Sequence, residues 1–445
     1  GDSPGSKTEN PVARKKVLII TYYWSPSGGS GVQRWVKFCK YLRDYGWEPV
    51  IYTPSNPERP AIDHSLSNDI PKDVTIITQP IWEPYSFYKK LVGLKKEAQL
   101  GSGLMQSGKE SSFYHDLSIW IRGNLFIPDA RKFWIRPSVR FLNKYLQKHQ
   151  VDAIVSTGPP HSMHMIGLKV SRTLSLPWLA DFRDPWTNID FFEDLKLSDF
   201  ARKKHHKLEK KVLDTANKIV VISPTMKKEF SEFTDTNISV IPNGFDAADF
   251  TESEYKKASM FTLSHVGMMT PSRNPQVLWQ SLADLKTVEK DFAVNFKLRL
   301  IGKVDSSIKE DINHFGVQDM VELIDYVPHN EIIRFQQQSD ALLLIVNNTP
   351  NAPLILTGKL FEYLAAKRPI VCLSPVEGDI KKVIEETKSG TFILYSEKER
   401  LKSELLRLYS NWQKGISSYQ GENADQYSRK SLTEIMANEL NQLTS

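Results

Sequence analysis

The stretch VLIITYYWSPSGGSGVQRWVKFCKYL, residues 17–42, decides the fold. It opens with the aliphatic run Val17–Ile20, which reads as a strand buried on both faces. It closes with Val32, Trp35, Val36, Cys39 and Leu42, spaced i, i+3, i+4, i+7 and i+10, which is one face of a helix. Between them stands Pro26-Ser27-Gly28-Gly29-Ser30-Gly31. A strand, a glycine-rich turn and an amphipathic helix make the start of a βαβ unit.

The same alternation runs outward along the chain. Val50–Thr53, Thr75–Thr78, Ala153–Thr157, Trp178–Phe182 and Lys218–Ile222 read as further strands. A second series is Phe261–Val266, Lys297–Ile301, Val321–Val327, Ala341–Val346, Pro369–Leu373 and Thr391–Leu394. Helical patterns separate them, so the fold class is α/β, with parallel, doubly wound sheets. Asn243-Gly244-Phe245-Asp246 and the polar stretch to Ser259 divide the two series. The expected domains are 11–244 and 245–424, after a loose tail at 1–10. A last helix, marked by Leu432, Ile435, Met436, Leu440 and Leu443, follows a break near Gly421. Ala98–Ser112 is Gly/Ser-rich without periodicity and reads as a mobile loop.

Composition narrows the function classes. Apolar residues make up 40% and charged residues 25%, which is globular and excludes wholesale disorder. Lys and Arg number 58 against 52 for Asp and Glu, a net +6 over 445 residues. That surplus permits phosphate or anionic lipid and gives no support to a nucleic-acid role. The longest purely aliphatic run, Ala341–Val346, is far below the ~20 residues of a membrane span. The two cysteines, Cys39 and Cys372, lie far apart in apolar stretches, and no Cys/His zinc spacing occurs. A reducing cytoplasm is the expected compartment.

Four strand ends are positioned to bind a ligand. Gly28, Gly29 and Gly31 precede a helix and suit a phosphate, although a tight turn explains them as well. His161, in Thr157-Gly158-Pro159-Pro160-His161-Ser162, stands just past a strand, where a helix cap is the competing reading. Asp181, Arg183 and Asp184 end another strand, and a structural ion pair accounts for Arg183 and Asp184 equally. Thr357 can cap a helix that begins Gly358-Lys359 and whose positive end suits a pyrophosphate. Glu362, one turn deeper, can accept two hydrogen bonds from a ribose diol; a surface Glu favoured by the helix dipole competes with that.

Taken together, the segments resemble the GT-B-fold glycosyltransferases of retaining family 4, of the bacterial surface-polysaccharide type. The resemblance rests on GGSGVQRWVKFCKYL, STGPPHS, DFRDPW, VVISPTMKKEF, VIPNGFDAADF, VGMMTPSRNP, DYVPHNEIIRFQQQSDALLLIV and TGKLFEYLAAKRPIV, in family order across nearly the whole chain. It implies two Rossmann-like domains facing across a cleft. The first would bind acceptor and the second a nucleotide-diphosphate sugar, with the C-terminal helix at 425–445 crossing back to the first. Glu362 corresponds to the family's ribose-binding Glu, and Gly267 to the glycine after the first strand of the second domain. His161 would hydrogen-bond the donor sugar. Asp181, Arg183 and Asp184 would position the acceptor.

Departures are visible. Leu354 stands where the family often has a second Glu, and Met268 where it has a phosphate-binding Arg. Arg273 corresponds to the remaining cation, joined by Lys359. With no Asp-x-Asp in the chain, no metal and no other cofactor is expected, and Arg273, Lys359, helix N-termini and the Gly28–Gly31 loop would meet the leaving-group charge. Retention without a carboxylate pair implies a front-face displacement.

The acceptor side lies in Trp120–Pro137, where aromatics interleave with Arg122, Arg131, Lys132 and Arg136, with Arg140 just beyond. Trp120, Arg122, Arg131 and Trp134 suit a lipid-linked acceptor at the inner face of an anionic membrane. A helix packed on the core with its charges in water explains the pattern equally. The expected activity is transfer of a sugar to a glycan or lipid-linked acceptor in cell-surface polysaccharide biosynthesis. A nucleotide-sugar epimerase of the same fold and a non-catalytic nucleotide-sugar-binding protein are the alternatives.

Overall fold

The computed structural model describes residues 13–59, 61–84, 108–187, 196–250, 254–350, 352 and 358–445. The expected tail 1–10, most of the expected loop at 98–112, and both Leu354 and Thr357 lie outside them. The chain divides into two compact units. The first runs to Val221, adds Phe230–Ser239 and ends with Thr433–Ser445; the second comprises Ile222–Glu229 and Val240–Leu432.

The first unit is built on seven strands: β1 (Lys15–Ile20), β2 (Trp47–Pro54), β3 (Thr75–Gln79), β4 (Ala153–Gly158), β5 (Trp178–Phe182), β6 (Lys218–Val221) and β7 (Ile238–Val240). Their order is β3-β2-β1-β4-β5-β6-β7, and the pairs from β3 through β6 are parallel. Strand β1 is central because Val17, Leu18, Ile19 and Ile20 are all fully buried and need cover on both faces. The second unit has six strands: β8 (Phe261–Val266), β9 (Phe296–Ile301), β10 (Val321–Ile324), β11 (Ala341–Ile345), β12 (Ile370–Ser374) and β13 (Gly390–Leu394). They run parallel in the order β10-β9-β8-β11-β12-β13. Each unit thus reverses its strand order beside its first strand, at β1/β4 and at β8/β11. Loops leaving the two sides of such a reversal diverge and open a crevice at the strands' carboxyl ends.

All twelve expected strands are present. Among the described residues the one added is β7, whose three residues are too short for a periodic signal. The expected loop is cut short: Gly108–Ser112 already belong to the helix Gly108–Asn124. The final helix is Arg429–Thr444. Leu432, Met436 and Leu440 are buried in it, but Ile435 is exposed, because Thr433 and Ala437 take the inward positions beside them. This helix is tied to the first unit by Lys218 Nζ to Glu439 at 2.8 Å and by Trp47 Nε1 donating to Asn441 Oδ1 at 2.9 Å. No helix among the described residues is long and apolar enough to cross a membrane.

The helix Ser30–Leu42 buries its expected stripe, with Val32, Trp35, Val36, Cys39 and Leu42 all at 1% exposure or less. It also buries Arg34 completely. Asp181, at the end of β5, explains this. Its carboxylate accepts from Arg34 Nη2 at 2.8 Å, Arg34 Nε at 3.1 Å, Trp35 Nε1 at 2.8 Å and Thr157 Oγ1 at 2.8 Å. Burial alone would raise the carboxyl's pKa; the charge and hydrogen bonds of Arg34, then Trp35 and Thr157, outweigh it and hold the group below its ordinary value. Asp181 therefore fastens helix 30–42 to β5 and β4. It lies beneath the loops, fully buried with both oxygens engaged, which corrects its expected place beside an acceptor. Asp181→Ala leaves a buried guanidinium without its counter-charge and should cost about 3–5 kcal/mol in urea unfolding. A variant as stable as the parent would remove this anchoring role.

Candidate functional site

In the first unit the β1/β4 reversal brings together three of the expected segments. Gly29 has φ 109°, a left-handed conformation that glycine adopts without strain, and helix 30–42 starts directly after it. A Cβ on Gly31 would overlap Nη1 of Arg183, so Gly31 gives the guanidinium its room. Arg183 donates through Nη2 to the Pro159 carbonyl and lies 5.5 Å from the Tyr23 ring centroid. It makes no salt bridge with Asp184 within 4 Å, although the two charges act on one another.

His161 follows β4 and occupies the N-cap position of helix Ser162–Leu174, yet its side chain makes no cap bond. Asp129 does that work: Oδ2 accepts from the Ser162 backbone N–H at 2.9 Å and Oδ1 from Ser162 Oγ at 2.8 Å. The His161 ring is free to stack on Trp186, with centroids 4.7 Å apart and planes 5° from parallel. Its Nδ1 is buried without a hydrogen-bond partner. Burial, then the charges of His164, Arg183 and His205, hold its pKa well below the usual imidazole range. Trp186 Nε1 donates to His205 Nδ1 at 3.2 Å, so His205 carries its proton on Nε2 and donates to the Gly123 carbonyl at 3.1 Å.

These groups line a cavity of about 320 Å³. Arg122, Arg131, His161, Asp184, Trp186 and His205 contribute to its wall, with the carboxylates of Glu58, Glu83 and Asp129. Arg131 is held inside rather than at a membrane face, its Nε 3.0 Å from Glu83 Oε1 and its guanidinium 4.4 Å over the Tyr22 ring. Trp134 is a correction too. It is 1% exposed and stacks on Tyr52 of β2 at 4.8 Å, so it is core. Trp120 is exposed, and with Phe113 and Leu117 it forms an i, i+4, i+7 apolar stripe on helix 108–124. Glu83, Asp129, Trp186 and His205 were not among the expected site residues. Trp186 adjoins the Asp-Arg-Asp cluster and Asp129 lies within Trp120–Pro137, so both could have been found there; nothing nearby in sequence marks Glu83 or His205.

In the second unit the β8/β11 reversal gathers Gly267, Arg273, Lys359 and Glu362. Gly267 has φ 121° and donates its N–H to the Ile301 carbonyl at 2.9 Å. Arg273 ends the turn Pro271–Arg273, where Nε donates to Asn347 Oδ1 at 2.6 Å and Nη1 to the Met268 carbonyl at 3.0 Å. Burial lowers its pKa, and the tyrosines Tyr395 and Tyr363 act against that. Gly358 begins the helix Gly358–Ala366, with open space where a side chain would stand. Lys359 Nζ donates to Glu362 Oε2 at 2.9 Å, while Glu362 Oε1 is buried and unpaired. Met268 projects into solvent at 56% exposure. A buried acceptor and two cations at the start of a helix can hold a ligand that combines hydroxyls with an anion.

Residues 105–249 match the family described as Glycosyltransferase Family 4, and residues 260–411 the one described as Glycosyl transferases group 1. The chain carries both glycosyltransferase domains. Its architecture is that of GT-B glycosyltransferases. Sucrose-phosphate synthase from Thermosynechococcus elongatus superposes with a TM-score of 0.57 at 14% identity, over 97% of this chain and 99% of that one. Anabaena HepE, solved with UDP-glucose, gives 0.52 at 12% identity, over 97% of each chain. A putative UDP-N-acetylglucosamine 2-epimerase from Listeria monocytogenes gives 0.53 at 11%, over 97% of this chain and 96% of that one. At such identities the likeness is one of fold. No curated protein sequence matches the chain.

Glu362→Gln keeps the shape of the side chain and removes the charged acceptor. The affinity for the tightest-binding of UDP, GDP and ADP should fall about tenfold or more, since such bonds contribute about 1.5–3 kcal/mol. The melting temperature of the ligand-free protein should barely move. Undiminished affinity in a calorimetric titration would remove Glu362 from the site.

Proposed function

We propose that the protein is a hexosyltransferase that moves a sugar from a nucleoside diphosphate to a glycan or lipid-linked acceptor in bacterial surface-polysaccharide assembly. The observation that carries the reading is the second-unit cluster at the strand-order reversal: Lys359 paired with Glu362, whose Oε1 is unpaired, and Arg273 in the turn after β8. In this reading Glu362 Oε1 accepts from the ribose diol. Arg273 and the N-terminus of helix 358–366 meet the diphosphate, and Lys359 exchanges part of its bond to Glu362 for a phosphate oxygen. As the bond from the anomeric carbon to the phosphate lengthens, negative charge grows where these donors already point.

The first-unit cavity is the proposed acceptor side. Asp184 and Glu58 offer acceptors to sugar hydroxyls, and the neutral His161 offers a nitrogen that has no partner within the protein. No pair of carboxylates is assigned as nucleophile and acid. The leaving phosphate would take the acceptor's proton on the same face, which retains the anomeric configuration. The exposed stripe of Phe113, Leu117 and Trp120 supports an acceptor presented at a lipid surface, with the protein peripheral to the cytoplasmic face.

Transfer releases the free nucleotide only when acceptor is present; epimerisation releases none, and a binding protein turns nothing over. Product analysis with lipid-linked and soluble glycan acceptors therefore tests the assignment. Because protein cations are assigned to the leaving group, activity should persist in EDTA, and a strict need for Mg²⁺ or Mn²⁺ would contradict that assignment. Arg273→Ala should lower turnover by roughly a hundredfold or more. Arg273→Lys should recover only part, because an ammonium lacks the planar fork. Wild-type turnover in Arg273→Ala would end the diphosphate assignment.

A further inference from the structure

His265 is an imidazole in an otherwise apolar or hydroxylic strand. It is the penultimate residue of β8, two before Gly267, at the carboxyl end where the strand order reverses. The residue is 3% exposed and its Nδ1 is buried without a partner. Among the described residues no hydrogen bond reaches the ring. An unpaired buried polar group costs enough that most are satisfied, so this ring needs a reason to stay bare.

Its electrostatic surroundings supply one. Arg273, from the turn after β8, and Lys359, from the start of helix 358–366, are the charged groups that act on it. Across the sheet it faces Leu300 of β9, and β11 offers only Ala and aliphatic side chains. Glu331 and Arg334, on the helix His329–Gln338 that packs on β8, are exposed. No carboxylate acts on the ring, and both charges that do are positive. Lys359 is paired with Glu362, so the charge left without a carboxylate partner among the described residues is Arg273.

We propose that His265 is a phosphate ligand of the donor site, supplying a ring N–H beside Arg273 and Lys359 where the solvent-facing Met268 supplies none. The assignment rests on the donor-site reading above and adds a residue to it. It also accounts for how one guanidinium serves a diphosphate. Burial, then the repulsion of Arg273 and Lys359, keeps the ligand-free ring neutral, with its pKa lowered to about 3. A bound diphosphate cancels both repulsions and presents an acceptor, so the ring can hold a second proton in the complex.

The test compares His265→Phe and His265→Gln with the wild type by calorimetry. The ligands are the tightest-binding of UDP, GDP and ADP and its parent nucleoside. His265→Phe suits an apolar strand and should melt close to the wild type. Its affinity for the diphosphate should drop about tenfold, with the nucleoside unaffected. His265→Gln retains an N–H donor and should recover most of the loss. In buffers of different ionisation enthalpy, the wild type should take up protons on binding the diphosphate beyond any uptake by His265→Gln. Equal diphosphate affinity in wild type and His265→Phe overturns the role of His265 and leaves the donor site standing. Equal losses for nucleoside and diphosphate reduce it to a packing role and overturn the proposal as well. Failure of the wild type to bind any of the three diphosphates removes the donor-site reading and this proposal with it.

Discussion

Arg34 and Asp181 are both wholly enclosed, so each compels the presence of the other. Removing either strands a charge in a medium that cannot solvate it. Because Asp181 also holds Trp35 and Thr157, the pair ties helix 30–42 to both β4 and β5. The glycine turn that begins that helix and the His161 loop that follows β4 are therefore set in relation to one another. Arg183, two residues beyond Asp181, then lies against Gly31 and Pro159. The buried pair adds a fixed polar link to the strand pairing and the buried helix face that already hold those loops.

The two units use the same sheet logic to different chemical ends. In the first, the polar groups are largely committed to one another: Asp129 to Ser162, Glu83 to Tyr22 and Arg131, His205 to Trp186 and Gly123. What they leave is a cavity of about 320 Å³ beside the unmet Nδ1 of His161. In the second, Lys359 is paired with Glu362, Arg273 has no carboxylate partner among the described residues, and Glu362 Oε1 and His265 Nδ1 are left unmet. Such an arrangement is unfavourable alone and becomes favourable with an anionic, hydroxyl-bearing ligand in place.

Reading the site from the sequence succeeds where function and local pattern coincide. Lys359 and Glu362 are three apart on a helix, so their pairing is local. It fails where one pattern serves two ends. Trp134 lies among cations in a way that fits a membrane face, and its partner Tyr52 is some eighty residues away on β2. Arg131 looks like a surface cation until Glu83 is brought beside it. His265 sits in a run that reads only as strand, and nothing nearby in sequence marks it as a ligand.

The sequence by itself determined the secondary elements, their alternation and hence the parallel sheets. Those follow from which residues must leave water and at what period, and neighbours along the chain decide that. It also placed Gly28–Gly31 and His161 just past strand ends and Glu362 one turn inside a helix, since glycine and capping chemistry are local. Tertiary structure alone decided which charges meet. Arg34 reaches Asp181 across 147 positions, and Arg273 and Lys359 act on His265 from a turn and from the start of a helix. Electrostatic and hydrogen-bond energies depend on distance in space and on the exclusion of water, and neither is written in the spacing of residues along the chain.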